Sequence, residues 1–304
     1  MHMNIAFAIN KDYLLLCGIT MLSILKNANA NSSFTFYIMH NNCLVEDDIN
    51  FLTNQKPLKK FNNFDINLIN MESYVKELNV ANREKWTQEV NFKIFLPQIL
   101  PILDKVLYLD VDLIVKNDLT SIFNIDMQDN IFLGSGKTGV IGICGGAILF
   151  NIKNAKLYNI THNLSVLMKS RDISEDGAIN TLYPNKTLYT NNTNIFHSIN
   201  HKKGSFIQSP YKDVVIYHFI RTKPYYIEKK YLQYAIEATK EYWLYLSEFI
   251  NPKYKYHFII LKFYAIYIAM YLHPFIRRIK KLKHKNPQPP KYIFKFIKKY
   301  SVFN

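Results

Sequence analysis

The chain has 304 residues, about two domain lengths, and 49% of them are hydrophobic, so it can bury a large core and is not a disordered polymer. Its formal charge is +15, yet residues 253–304 hold 13 of the 38 Lys+Arg and no acid, leaving 25 basic residues against all 23 acidic ones in residues 1–252. A near-neutral body of 1–252 followed by a basic tail of 253–304 removes the main argument for nucleic-acid binding by the whole fold, because the excess charge is not on the body. Cys17, Cys43 and Cys144 form no CxxC pair and no closed disulfide set, which points to a reducing compartment. The opening MHMNIAFAINKDY lacks the basic and apolar regions of a secretory leader. The many Asn, Lys, Ile, Tyr and Phe residues are those of an AT-rich, bacterial type of genome.

In chain order, Asn4–Ile9 predicts a strand and Tyr13–Lys26 a helix with one apolar side. Phe34–Met39 is aromatic and β-branched, as strands are. Glu46–Gln55 reads as a helix, Phe64–Ile69 as a strand and Glu72–Leu78 as a short helix. Asn91–Leu100 reads as a helix that Pro97 kinks or stops early. Val106–Leu109, Ile131–Gly134 and Ala147–Phe150 are strand candidates. Lys153–Ser170 and Glu175–Leu182 read as helices, Val214–Tyr217 as a short strand and Glu228–Phe249 as a long helix. Alternating strands and helices predict an α/β fold around a parallel or mixed sheet.

Sheets of that kind bind ligands beyond the carboxyl ends of their strands, so the polar residues there carry the chemistry. No G-x-G-x-x-G follows the first strand, which disfavours a nicotinamide or flavin dinucleotide. Gly134-Ser135-Gly136-Lys137-Thr138 ends like a phosphate-binding loop, but the motif's first glycine falls on Ile131 and no helix pattern follows. It reads as a flexible loop.

The most informative stretch is Lys105-Val-Leu-Tyr-Leu-Asp-Val-Asp-Leu-Ile-Val115, where an apolar run leads into Asp110 and Asp112. On a strand, residues two apart share a side, so the two carboxylates repel each other and resist burial. A hard divalent cation offsets both charges with oxygen ligands and can clamp a diphosphate. A competing resemblance is to the haloacid-dehalogenase-type phosphatases, which place a nucleophilic Asp and its acid/base partner in the same spacing. Those enzymes usually carry the pair in their first strand, whereas here it stands more than a hundred residues in, without a convincing later Lys and acidic pair.

KVLYLDVDLIV more closely resembles the DxD segment of glycosyltransferase family 8, the retaining transferases of GT-A fold that include bacterial lipooligosaccharide α-galactosyl- and α-glucosyltransferases. The likeness runs over about residues 4–225, in five segments. Ile5–Tyr13 is similar to the family's first strand and uridine-binding turn, which implies Ala8, Asn10 and Asp12 near uracil and ribose, with the Tyr13 ring on the base. Asn91–Pro101 is similar to its Y-x-R-L-x-x-P-x-x-x-P segment, with Lys93 in place of an Arg that reaches the donor sugar and the metal-binding acids. The DxD implies Asp110 and Asp112 as Mn²⁺ ligands, with Mg²⁺ the alternative ion and Asp110 also near the ribose.

Cys144-Gly145-Gly146-Ala147-Ile148-Leu149-Phe150-Asn151 resembles the family's donor-sugar segment, with Cys144 where Asn is usual. Nearby, Ser174–Asn180 is similar to D-Q-D-x-x-N. There Glu175 replaces a sugar-hydroxyl ligand, and Asp176 replaces the Gln beneath the anomeric carbon. Asp176 is then either a nucleophile or a stabiliser of oxocarbenium charge. Val215–Tyr225 resembles the closing H-x-x-G-x-x-K-P-W, one residue short. It implies His218 as third metal ligand, Lys223 on the diphosphate and Arg221 as a second phosphate contact.

The implied fold is GT-A, a Rossmann-like mixed sheet flanked by helices, in residues 1–252. The implied activity is retaining transfer of galactose or glucose from a UDP-sugar to a saccharide acceptor of lipooligosaccharide or a surface glycan. The polar stretch Glu77–Val90, with Trp86, is a candidate loop over the acceptor. The tail, 253–304, mixes Lys and Arg with Tyr and Phe, as segments lying on an anionic bilayer do. Its Phe258–Leu272 run is too short and interrupted to span one. The expected place is therefore the inner face of the cytoplasmic membrane, near a lipid-linked acceptor and away from nucleic acid. A phosphatase acting through Asp110 and a non-catalytic UDP-sugar-binding membrane protein are the other two readings.

Overall fold

The computed structural model describes residues 1–78, 88–136, 142–190, 196–198, 214–219, 238 and 241–249. Trp86, Arg221, Lys223, most of Glu77–Val90 and the tail 253–304 lie outside the described residues. Strands β1 (His2–Ala8), β2 (Ser33–His40), β3 (Phe64–Asn70), β4 (Lys105–Leu109), β5 (Leu113–Val115), β6 (Phe132–Gly136), β7 (Ile143–Asn151), β8 (Thr187–Thr190), β9 (Phe196–Ser198) and β10 (Ile216–His218) form two sheets. The larger has the order β3-β2-β1-β4-β7-β6-β8, and the smaller β5-β10-β9. In the larger sheet β7 alone runs against its neighbours. This is the expected mixed α/β sheet.

The helices are α1 (Leu14–Asn27), α2 (Glu46–Thr53), α3 (Glu72–Leu78), α4 (Leu96–Ile99), α5 (Thr120–Phe123), α6 (Ile152–Leu157), α7 (Ile160–Arg171) and α8 (Glu175–Leu182). Residues 241–248 are also helical. Among the described residues no helix is long and apolar enough to cross a membrane.

Strand alternation divides the core between the two faces of the sheet. Ile5, Phe7, Leu107 and Leu109 join α1, β5 and β10 on one face, whereas Ala6, Val106 and Tyr108 join Phe92, Leu96, Leu164 and Ile179 on the other. Helix α1 is buried along most of its length rather than on one side, because it fills the space beside the smaller sheet. There its polar residues serve as edge partners: Thr20 Oγ1 donates to Val111 O and Leu113 O, and Asn27 Nδ2 donates to Val115 O at 2.9 Å.

Three expectations change. Asn91–Leu100 is a 3₁₀ helix over Gln88–Phe95 running into α4, and Pro97 lies in the first turn of α4, where its missing N–H breaks no helical bond. Lys153–Ser170 is two helices, because Asn159 takes a left-handed conformation (φ 46°) that Asn tolerates and a helix does not continue through. Gly134–Gly136 belongs to β6 rather than to a flexible loop; a Cβ on Gly134 would come within 2.7 Å of Ile143, so this glycine serves close strand packing. Lys137 and Thr138 lie outside the described residues. The strands Leu113–Val115, Thr187–Thr190 and Phe196–Ser198, too short to show a period, were not legible as strands in the sequence.

Candidate active site

The end of β4 sets the first side chains. Asp110 follows Leu109, and its N–H donates to Gly146 O on β7 at 2.8 Å. Asp112 precedes β5 and is only 6% exposed. Strand β10 pairs antiparallel with β5, His218 opposite Leu113, and Phe219 N–H donates to Asp112 O at 3.0 Å. That register carries His218 Nε2 to 3.1 Å from Asp112 Oδ1 and 3.6 Å from Asp110 Oδ2. One donor atom from each of the three lies within 4.8 Å of the others, a spacing that could hold a metal ion.

The surroundings fit such an ion. Two carboxylates and one imidazole make an oxygen–nitrogen donor set, which suits Mn²⁺ better than a purely oxygen-seeking Ca²⁺. Gly146 leaves the room: a Cβ there would sit 2.0 Å from His218 Cε1 and 2.6 Å from Asp110 Oδ2. The other ring nitrogen, His218 Nδ1, lies 3.8 Å from Cys144 Sγ, which leaves Nε2 to the carboxylates. Burial works against an imidazolium, but the Cys144 sulfur and Asp110 hold the His218 pKa above its ordinary value. Burial likewise penalises a Cys144 thiolate, and His218 nevertheless brings that thiol below the usual range.

Beside this cluster lies a buried ion pair. Lys93 Nζ donates to Glu175 Oε1 and to Gly145 O, both at 2.8 Å, and stands 4.5 Å from the centre of the Tyr108 ring. Burial would lower the Lys93 pKa, but Glu175 and then Asp110 more than offset it and keep the ammonium charged. The Tyr108 hydroxyl donates to Asp110 Oδ1 at 3.0 Å, which links the two clusters. Glu175 and Asp176 open α8, whose N-cap Ser174 accepts from Gly177 N–H, and the Ser174 hydroxyl donates to Asp176 Oδ1. A Cβ on Gly145 would lie 3.1–3.3 Å from Glu175 Oε1, Lys93 Nζ and Asp176 Cβ, so this glycine lets the three approach the strand.

The turn after β1 opens on the same edge of the sheet. Strands β1 and β4 are parallel neighbours with Ala6 opposite Tyr108, so Ala8 and the residues after it run out beside Asp110. Asn10 caps the turn Lys11–Tyr13, its Oδ1 accepting from Asp12 N–H at 3.1 Å. Tyr13 is partly buried, and burial, then Asp12 and Glu89, raise its pKa.

The structure thus gathers Asp110, Asp112, His218, Cys144, Gly145, Lys93, Glu175 and Asp176 around one strand end, with Ala8, Asn10, Asp12 and Tyr13 on the adjoining one. Lys223 and Arg221 lie outside the described residues. Lys93 and Glu175, both implied by the resemblance to lie at the donor sugar, form an ion pair with each other at this strand end. Tyr108, Gly146 and Ser174 lie in segments the sequence reading picked out, but without a role of their own. Tyr108 carried a signal, its place two residues before Asp110 on the same side of a strand.

A family model described as glycosyl transferase family 8 matches residues 4–144. The lipopolysaccharide glucosyltransferase WaaO of Escherichia coli (strain K12) is 24% identical over 252 residues, covering 74% of this chain and 73% of that protein. The galactosyltransferase LgtC, solved in complex with donor and acceptor sugar analogs, superposes with a TM-score of 0.62 at 18% identity, over 79% of this chain and 95% of that one. The glycosyltransferase GlyE of Streptococcus pneumoniae TIGR4 superposes with a TM-score of 0.61 at 18% identity, over 86% of this chain and 64% of that one. At such identities the superpositions speak for the fold.

Proposed function

We propose that this glycosyltransferase of GT-A fold, whose residues 4–144 match the glycosyl transferase family 8 model, moves galactose or glucose from a UDP-sugar, with retention, to a saccharide acceptor of lipooligosaccharide or a surface glycan. The observation that carries the reading is the donor set of Asp110, Asp112 and His218 at the carboxyl end of β4, beside the turn that follows β1. These three residues hold Mn²⁺, with Mg²⁺ the alternative. A bound cation of this kind neutralises diphosphate charge and so makes UDP a better leaving group.

The remaining roles fall to the chain's own groups. Ala8, Asn10, Asp12 and Tyr13 receive the uridine, whose uracil amide edge Asn10 can pair with. Lys93 holds Gly145 O and Glu175 in place beneath the sugar. Asp176 presents its carboxylate toward the reacting carbon and stabilises the positive charge that develops there, or adds to it as a nucleophile. The acceptor's proton passes to the departing phosphate, so no separate protein base is needed. Lys223 contacts the diphosphate. WaaO is named for lipopolysaccharide, and that supports an acceptor of this class. Residues 253–304 then bind an anionic membrane surface on its cytoplasmic side, and deleting them should release the protein from anionic vesicles.

The direct test is UDP release from UDP-galactose and UDP-glucose with Mn²⁺. Asp112→Asn is expected to abolish the Mn²⁺-dependent part. Full Mn²⁺-dependent turnover in that variant would remove the metal assignment. Phosphate release without a sugar acceptor would instead favour the phosphatase.

A further inference from the structure

We infer that Tyr108 determines which cation the site prefers, because its hydroxyl bonds one oxygen of Asp110 and orients the other toward the metal-binding cluster. The inference rests on the metal-binding reading of Asp110, Asp112 and His218. Tyr108 and Asp110 are two residues apart where β4 ends, hence on one side of it. The hydroxyl donates to Oδ1 at 3.0 Å, while Oδ2 faces His218 Nε2 at 3.6 Å. The carboxylate is therefore divided: one oxygen is spent on a protein donor and the other points into the cluster.

The donor is built to stay put. Tyr108 is 1% exposed, and the ammonium of Lys93 lies on its ring face, itself held by Glu175 and Gly145 O. Asp110 itself is about a third open to solvent on its side chain, so without this bond its carboxylate could turn.

The consequence is a choice of ion. A carboxylate with both oxygens free can chelate, a geometry that suits Ca²⁺ at about 2.3–2.6 Å, whereas small octahedral ions at about 2.0–2.1 Å take one oxygen from each ligand. Tyr108 thus acts as a positioning residue: it holds Asp110 to a single oxygen and favours the smaller ion.

The experiment compares Mn²⁺ and Ca²⁺ affinities of the full chain without nucleotide, from the paramagnetic signal of free Mn²⁺ and its displacement by Ca²⁺. The proteins are the wild type, Tyr108→Phe and Asp112→Asn. Phe keeps the ring, so thermal melting of Tyr108→Phe checks that the fold persists. The expected result is that Tyr108→Phe binds Mn²⁺ about tenfold more weakly and lowers the preference for Mn²⁺ over Ca²⁺ by about the same factor. An unchanged preference overturns the inference, whether both ions weaken together or neither changes. Should Asp112→Asn keep wild-type Mn²⁺ affinity, the metal reading itself falls and the inference with it; loss in Asp112→Asn with an unchanged preference in Tyr108→Phe removes the inference alone.

Discussion

Two charged clusters lie side by side at the carboxyl end of the sheet, and they are built on opposite principles. In one, Lys93 and Glu175 are both almost fully buried and satisfy each other, with Gly145 O and the Tyr108 ring completing the shell of the cation. In the other, two carboxylates, Asp110 and Asp112, converge on the His218 imidazole at 3.6 and 3.1 Å. The closed cluster ties β7, through Gly145 O, to the start of α8 through Glu175. The open cluster sets three groups at a spacing that could hold a metal ion. A cluster of titratable groups at a strand end is thus a candidate for function where donor atoms of several residues converge.

Breaking the closed cluster should have the largest effect. Lys93→Met strands Glu175 without its partner, and the expected cost is about 3–5 kcal/mol in a urea unfolding titration. The double variant Lys93→Met/Glu175→Leu should recover most of it, since removing both charges abolishes the burial penalty. A single variant as stable as the wild type would mean the pair is not closed in the way described.

The open cluster sharpens the contrast in the other direction. Saturating Mn²⁺, at a hundred times its dissociation constant, should stabilise the wild type by about 2.7 kcal/mol, read as a rise in melting temperature. Asp112→Asn should show no such rise, and Lys93→Met should keep it. Stabilisation of Asp112→Asn equal to that of the wild type would show that the ion binds elsewhere.

A smaller effect is expected from Gly146→Ala, which changes no charge. Its Cβ would stand 2.0 Å from His218 Cε1, so the ring must move. The expected cost is about 1–3 kcal/mol of stability, with weakened Mn²⁺ binding. Unaltered Mn²⁺ affinity in a folded Gly146→Ala protein would mean that this glycine does not make the room His218 occupies.

How much could be read in advance depended on sequence distance. Asp110 and Asp112 declared themselves, because an apolar run leading into two carboxylates is a local pattern. Glu175, Asp176 and the paired glycines were reached through the resemblance of short segments, and most regular elements announced themselves by their periodicity. His218 was reached only through resemblance, since a histidine near a short strand has no local signature. The pairing of Lys93 with Glu175 spans 82 positions, and nothing in either neighbourhood marks it.

The sequence alone determined the α/β alternation, the near-neutral body with its basic tail, and the strand that ends in two carboxylates. These are properties of composition and period, which act between near neighbours. The tertiary structure decided the rest. The register of β10 on β5 brought His218 to Asp112 across 106 positions. Helix α1, through Thr20 and Asn27, covered the outer edge of β5. The packing of α8 against the 3₁₀ segment closed Lys93 on Glu175. Each is a contact between elements distant in the chain, which only the folded arrangement of sheets and helices can specify.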